Sequence, residues 1–361
     1  MNDANELISF IASMSGEGNL RVEENLGEGY VRLRVSEAER RQAKHDIQHV
    51  EDIVIEMLRN ARDAGADKVY LATTKEEGVR TLLFLDNGSG VPQDMQERIF
   101  DARVTSKLES MKMDRWGVHG RGMALFSIKQ NTDEARVVTS GVDLGSAFKV
   151  CVATDRLGER ADQSSWPQAV KDEDGRYVCA RGPHNIIRAA CEFALEELRC
   201  CDVYLGSPSE IAATLYAQAS SRLDTSRLLF IDDECELPVI DRLGLASDAE
   251  DFIRICSGLG LEMSERTAHR ILSRQIKPVR GVTARLLRER DSTSHAPAPV
   301  DLAKDRRGLR IAKDDMAQFS RAVERDFNDL AARYYLNLRG DPKIRVSRDR
   351  ITVTFDLAKE E

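Results

Sequence analysis

Glu56-Met-Leu-Arg-Asn-Ala-Arg-Asp-Ala-Gly-Ala66 is the stretch whose reading decides the fold. It closes a helical run that starts near His45. Glu56, Asn60 and Asp63 stand at i, i+4 and i+7, which places them on one helix face. Val50, Ile53, Val54, Met57 and Leu58 supply the apolar face. Gly65 is the expected stop. Two carboxylates and an amide in one stripe have the chemistry to hold a hydrated cation and a water that attacks phosphate. On its own, the same spacing also describes an ordinary solvated face.

Two further segments change that balance. Asp86-Asn-Gly-Ser-Gly-Val-Pro92 follows the apolar run Thr81–Leu85, so a carboxylate leaves a strand directly into a turn. Gly117-Val-His-Gly-Arg-Gly-Met123 precedes a second apolar run, Ala124–Ile128, which reads as a helix. Glycines before a helix start let backbone N–H groups approach phosphate at the positive end of the dipole. Neither segment is a P-loop, because no Gly-Lys-Ser/Thr follows.

In this order the three segments resemble the GHKL ATPases, the superfamily of gyrase B subunits, ninety-kilodalton heat-shock chaperones, histidine kinases and MutL. Residues 56–66 resemble its N box, Asp86–Gly90 its first glycine box and Gly117–Gly122 its second. The resemblance implies an α+β fold, the Bergerat α/β sandwich with a mixed sheet, that binds ATP and magnesium. It implies that Glu56 is the general base and that Asn60 is the magnesium ligand. Asp86 would accept the adenine amino group, with Gly88 and Gly90 letting the base lie against the backbone. Asp63 would support the adenine pocket. Gly117, Gly120 and Gly122 would shape a lid around the triphosphate, with Thr105, Ser106, Lys107, His119, Arg121 and Met123 as the remaining nucleotide-contact candidates.

The likeness sharpens towards MutL. Asn60-Ala-Arg-Asp-Ala-Gly-Ala66 is similar to the Asn-Ser-Leu-Asp-Ala-Gly-Ala of that branch, and Thr105-Ser106-Lys107 to its Thr-Ser-Lys. Gly117-Val-His-Gly-Arg-Gly122 stands where MutL has Gly-Phe-Arg-Gly-Glu-Ala, so Gly122 replaces an alanine and Arg121 an acid. Topoisomerase VI B subunits have a similar glycine-rich lid, which leaves the branch open. Histidine kinases usually lack a glutamate four residues before the asparagine, so Glu56 favours hydrolysis over transfer to a protein. The resemblance covers roughly residues 45–154.

The residue types suit phosphoryl transfer, which rests on positioning and charge neutralisation. Magnesium prefers oxygen ligands and keeps several waters, so one asparagine and phosphate oxygens make a sufficient shell. Lys107 is either a phosphate contact or a solvated lysine.

The 361 residues suggest two or three domains. The formal charge of −8 argues against a general nucleic-acid sponge. No segment approaches a membrane helix, which needs about 18 apolar residues. The start lacks the basic residues of a signal peptide. Seven cysteines without a Cys-x-x-Cys pair read as reduced thiols, so a cytoplasmic location is expected. After its first two domains a 361-residue chain is expected to lack room for a full mismatch-repair C-terminal dimerisation domain, which favours a stand-alone or partner-dependent role.

The pattern divides into an N-terminal arm (1–44), the ATP-binding domain (45–154) and a second α/β, transducer-like region (155–245). A basic helical segment (246–291), a linker (292–300) and a C-terminal helix with strands (301–361) follow. One helix is expected over 45–64, a polar irregular stretch over 155–180 and a strand near 228–231. In this superfamily such an arm can cross a dimer. Residues 262–290 carry eight Lys/Arg against three acids, a candidate DNA-backbone contact. Gly258-Leu-Gly260 with Arg266, Arg270 and Arg274 is faintly similar to a helix-two-turns-helix. Gln275-Ile-Lys277 is either a phosphate-sensing lysine loop or a chance triplet.

Three readings follow. The favoured one is an ATP-driven homodimeric switch acting on DNA. A protein kinase or regulator of the histidine-kinase type is the second, although His45 and His49 lie in the N-box helix rather than on a phospho-accepting one. A chaperone-like ATPase with a protein partner is the third.

Overall fold

The computed structural model describes residues 22–106, 112–119, 122–160, 162–223, 231, 233–291, 313–331, 336–346 and 351–359. Two compact units divide at Asp291 and Ser292. The linker expected over 292–300 lies outside the described residues, as does most of the strand expected at 228–231.

The first unit begins with a hairpin, β1 (Val22–Gly27) and β2 (Tyr30–Leu33), and helix α1 (Glu37–Asp46). Ser36 and Glu39 start α1 as a reciprocal capping box. Helix α2 then spans Val50–Asp63. The single helix expected over 45–64 is therefore two. The break at 47–49 comes from Asp52, whose carboxylate accepts the amides of Gln48 and His49, each at 2.9 Å, and opens a new helix. His45 belongs to α1 and His49 caps α2. Helix α2 ends as expected at Gly65 (φ +76°), where the Gly65 and Ala66 amides return to Arg62 and Ala61.

Strands β3 (Lys68–Glu76) and β4 (Val79–Asp86) form a hairpin. After β4 come β5 (Val104–Thr105), which pairs with β2, and a small hairpin of β6 (Lys112–Asp114) and β7 (Gly117–His119). Helix α3 (Ala124–Asn131) and the strands β8 (Glu134–Gly141) and β9 (Gly145–Ala153) follow.

The polar stretch expected to be irregular holds a second hairpin, β10 (Gln168–Lys171) and β11 (Tyr177–Arg181). Its turn is built on Asp172, whose side chain accepts the Arg176 amide at 2.8 Å. Helix α4 (Ile186–Glu196) leads to β12 (Asp202–Gly206), followed by α5 (Pro208–Arg222), α6 (Ala249–Gly258), α7 (Glu265–Leu272) and α8 (Val282–Asp291).

The main sheet has the order β12-β3-β4-β9-β8. It is mixed: β12 runs parallel to β3, and the remaining pairs are antiparallel. Alternation sends successive side chains to opposite faces. Val69, Leu71, Leu82 and Phe84 enter one core with α2 and α4. Tyr70, Ala72, Leu83 and Leu85 enter the other with α5, α6 and α7. The layer of helices expected on the sheet is thus present on both faces. The α/β region expected over 155–245 contributes a strand to this same sheet and a helix to each of its faces. The segment 22–46 packs on its own chain, through β2 on β5 and α1 on α3.

The second unit carries helix α9 (Lys313–Ala331) and two antiparallel strand pairs. These are β13 (Leu336–Leu338) with β16 (Leu357–Lys359), and β14 (Lys343–Val346) with β15 (Ile351–Thr354). Phe327 of α9 stacks on Phe355 with ring centres 4.0 Å apart. Among the described residues no helix is long and apolar enough to cross a membrane.

Candidate nucleotide site

Helix α2 presents its polar stripe to a cavity of about 500 Å3. Glu56, Asn60 and Asp63 all stand in the cavity wall. The opposite face, with Val50, Ile53, Val54 and Leu58, is completely buried in the core. The helix is thereby fixed between a dry side and a polar one.

Asp86, at the end of β4, closes the floor. It is 4% exposed, and its Oδ1 accepts the Gly88 amide at 2.8 Å. The turn after it is pinned on both sides. Ser89 N–H donates to the Ala64 carbonyl at 2.8 Å, and Val91 N–H donates to the Ser140 hydroxyl at 2.7 Å. Asn87 Oδ1 accepts the Asp67 and Lys68 amides. Gly90 is in the cavity wall and Gly88 is not. A side chain on Gly88 would meet Ala64 Cβ at 2.9 Å, so this glycine serves the packing of the turn against the end of α2.

The start of α3 forms the facing wall, with Gly122, Met123, Ala124 and Leu125. Gly122 has φ +66°, and a Cβ there would lie 2.7 Å from the Val104 carbonyl oxygen. Its carbonyl accepts the Arg103 amide at 2.8 Å. The departure from alanine at this position thus has a local cause in the crossing of this turn over β5. Thr105 and Ser106 also line the cavity. Lys107, Gly120 and Arg121 lie outside the described residues. Gly117 and His119 sit on β7, opposite Asp114 and Lys112. Lys277 is exposed and is not among the residues lining the cavity.

Several residues that the sequence reading passed over shape the site. Tyr30, Glu39, Gln42 and Asp46 bring the N-terminal segment into the wall. Burial raises the Tyr30 phenol above its ordinary pKa, against a hydrogen bond with Ser106. Glu39 pairs with the buried Arg103.

Behind the stripe lies a charged cluster. Arg59 and Arg62 have side chains only 3% and 7% exposed. Arg59 Nη1 donates to Glu56 Oε1 at 2.7 Å, and its Nε and Nη2 grip both oxygens of Asp114 at 2.9 Å. Arg62 donates to Asp63, Asp114 and Glu197. Burial by itself would raise the Asp114 pKa, but the bonds from Arg62 and Arg59 outweigh it and hold this carboxyl below its ordinary range. The arginines in the N-box segment were legible only as charged residues. Their burial follows from Asp114, some fifty positions away.

Among the described residues no group of three or more His, Cys, Asp or Glu could hold a metal ion. The donor set suits magnesium only in the sparse form, with the Asn60 amide oxygen supplemented by phosphate and water.

A polar stripe on a buried helix, an aspartate at the end of the adjoining strand and a helix start facing both meet at one cavity on a mixed sheet. Residues 47–148 match the family model described as histidine kinase-, DNA gyrase B- and HSP90-like ATPase. This stretch belongs to the GHKL ATPases.

The chain is 34% identical over 112 residues to the DNA mismatch repair protein MutL of Brucella abortus, covering 31% of this chain and 18% of that one. It is 31% identical over 107 residues to the MutL of Thermodesulfovibrio yellowstonii (29% and 19%). Against the MutL of Pediococcus pentosaceus it is 31% identical over 115 residues (31% and 17%). The matches span less than a fifth of the length of these relatives.

Proposed function

We propose that this protein binds ATP with magnesium, hydrolyses it with Glu56 as general base, and works as an ATP-driven dimeric switch on DNA. The observation that carries the first part is the convergence of Glu56, Asn60, Asp63 and Asp86 on one cavity.

Asp86 accepts the adenine amino group from the floor, held in place by the Gly88 amide. Asp63 supports the same end of the pocket. Amides at the start of α3 face the phosphates with the positive end of the helix dipole. Asn60 holds magnesium, which when bound neutralises charge on the phosphate oxygens. Glu56 takes a proton from water as its oxygen attacks the terminal phosphorus. The bond from that phosphorus to the bridging oxygen breaks, and ADP and inorganic phosphate leave.

The DNA reading has two supports. Arg266, Arg270, Arg274 and Lys277 are exposed on and just after α7, as a backbone-binding surface requires. The relatives are named as DNA mismatch repair proteins.

The test is magnesium-dependent ATP hydrolysis by the wild type and Glu56→Ala, with and without duplex DNA. Loss of turnover with ATP still bound supports Glu56 as base, and stimulation by DNA supports the switch. Unchanged turnover in Glu56→Ala refutes the catalytic assignment. Turnover indifferent to DNA, with no DNA binding, refutes the switch on DNA.

A further inference from the structure

The arginine beside the N-box asparagine joins two things that the nucleotide site alone does not connect. Arg59 Nη1 holds Glu56 Oε1 at 2.7 Å. The other edge of the same guanidinium holds both oxygens of Asp114, on β6. A guanidinium is planar and presents its donors in a fixed fork. Seating one edge on Asp114 therefore fixes where Nη1 points, and with it the Glu56 carboxylate.

The hairpin that carries Asp114 is itself anchored. Trp116 N–H donates to Asp114 Oδ1 at 3.0 Å. The Trp116 ring stacks on Phe193 of α4 with centres 6.3 Å apart, and Arg115 lies 3.5 Å from Glu192. Arg62 ties Asp114 to Glu197, just beyond the end of α4. Helix α4 lies outside the stretch that matches the ATPase family. An ion network this deeply buried is a weak source of stability, because desolvation offsets much of its attraction. What it supplies is defined geometry at Glu56.

We propose that Arg59 is a positioning residue for Glu56, and that Asp114 sets Arg59, so that the β6–β7 hairpin and the helix beneath it aim the water-activating carboxylate. This rests on the reading of Glu56 as general base.

The experiment compares Glu56→Gln, Arg59→Lys, Arg59→Met, Asp114→Asn and the double variant Arg59→Met/Asp114→Asn in the full chain. It measures kcat, KM and Kd for magnesium-ATP, and the pH dependence of kcat. Glu39, Asp46, Asp63, Asp86 and Arg103, which line the same cavity, are left unchanged. Arg59→Met and Asp114→Asn are expected to lower kcat about 10- to 100-fold, as small misplacement of a reacting group does. KM and Kd stay within about threefold, since Asp114 is not among the lining residues and Arg59, although in the cavity wall, turns its guanidinium to Glu56 and Asp114. Arg59→Lys recovers part of the loss, because it keeps the charge but not the fork.

Removing the Arg59 cation shifts the acidic limb of the kcat profile, where Glu56 is protonated, to higher pH. The double variant is no slower than the worse single one, because both act through one carboxylate. A purely structural network would lower binding and turnover together and leave that limb in place, which overturns the proposal. Wild-type kcat and limb in Arg59→Met and Asp114→Asn, with Glu56→Gln inactive, overturn it while sparing the base assignment. Turnover in Glu56→Gln overturns both. If Asp114→Asn does not fold, the contrast between Arg59→Lys and Arg59→Met decides.

Discussion

The carbonyl oxygen of Gly141 lies 1.8 Å from where a Cβ on Gly90 would stand. The turn after β4 and the turn between β8 and β9 thus touch backbone to backbone, and Gly90 also has φ +70°. Gly90→Ala faces both a clash and a disfavoured conformation, and is expected to cost about 2–5 kcal/mol. Gly65 has φ +76° with open space around it, so Gly65→Ala should cost only about 1–2 kcal/mol. Thermal unfolding of the two variants compares them directly, and equal losses would show that the contact with Gly141 is unimportant.

Asp86→Asn keeps the shape of the side chain and an oxygen for the Gly88 amide, but loses the charge. Affinity for magnesium-ATP is expected to fall at least about tenfold, the scale of one hydrogen bond to a charged group. The fold should be retained. Titration calorimetry and circular dichroism check both halves, and undiminished affinity would move the adenine contact elsewhere.

The depressed Asp114 carboxyl makes a prediction with a definite sign. A group whose folded pKa lies below its unfolded value, near 3.8, stabilises the fold above that unfolded value. The contribution disappears as pH falls through the folded pKa. Asp114→Asn should therefore cost about 1–3 kcal/mol at pH 7, where Arg59 and Arg62 each lose one charged partner and keep their bonds to Glu56, Asp63 and Glu197. The gap from the wild type should narrow below about pH 4. Melting curves at several pH values test this, and a gap that widens towards acid would contradict the pairing.

All seven cysteines are free, and they differ sharply in exposure. Cys200 and Cys235 are exposed, whereas Cys191, Cys201 and Cys256 are buried. Burial, aided by Glu197, Asp202 and Asp67, pushes the Cys201 thiol up to about 12. Burial also raises the Cys256 thiol. Alkylation at pH 8 should label Cys200 in the folded protein and reach Cys201 only after denaturation, although the two are adjacent in sequence. Peptide mass spectrometry resolves the sites.

Replacing Arg266, Arg270 and Arg274 with glutamate should weaken any duplex DNA binding and reduce its dependence on salt. Each lost phosphate contact lowers the slope of log K against log salt by about 0.9. The ATPase rate without DNA should be unchanged, because these residues are not among those lining the cavity. An unchanged salt slope would place the contact elsewhere.

What the sequence disclosed was what periodicity encodes. The apolar face of α2, the strands β4 and β9, and the aspartate leaving β4 were each legible because burial and turn chemistry write directly into residue order. The break before α2 was not, since Ile47 and Val50 continue an apolar pattern that Asp52 interrupts only by capping two amides. The β10–β11 hairpin was hidden by its charged turn, although Val170 and Val178 flank an Asp-Gly pair. Arg59, Arg62 and Asp114 were not legible as a cluster, because charged residues on a helix usually face water. Only the meeting of distant segments shows otherwise.

Strand β12 gives the family module of this chain an unexpected extent. Its five residues run beside β3 from Lys68 to Ala72, yet they begin more than fifty positions after the family match ends. A fragment cut at residue 148 would not be a smaller copy of the same fold. It would expose β3 as a naked edge, uncover the apolar residues that α4 and α5 shield, and invite aggregation. In this chain the matched stretch and its extension belong to one compact unit, and residues beyond Gly206 cannot be discarded without stripping the sheet of a face.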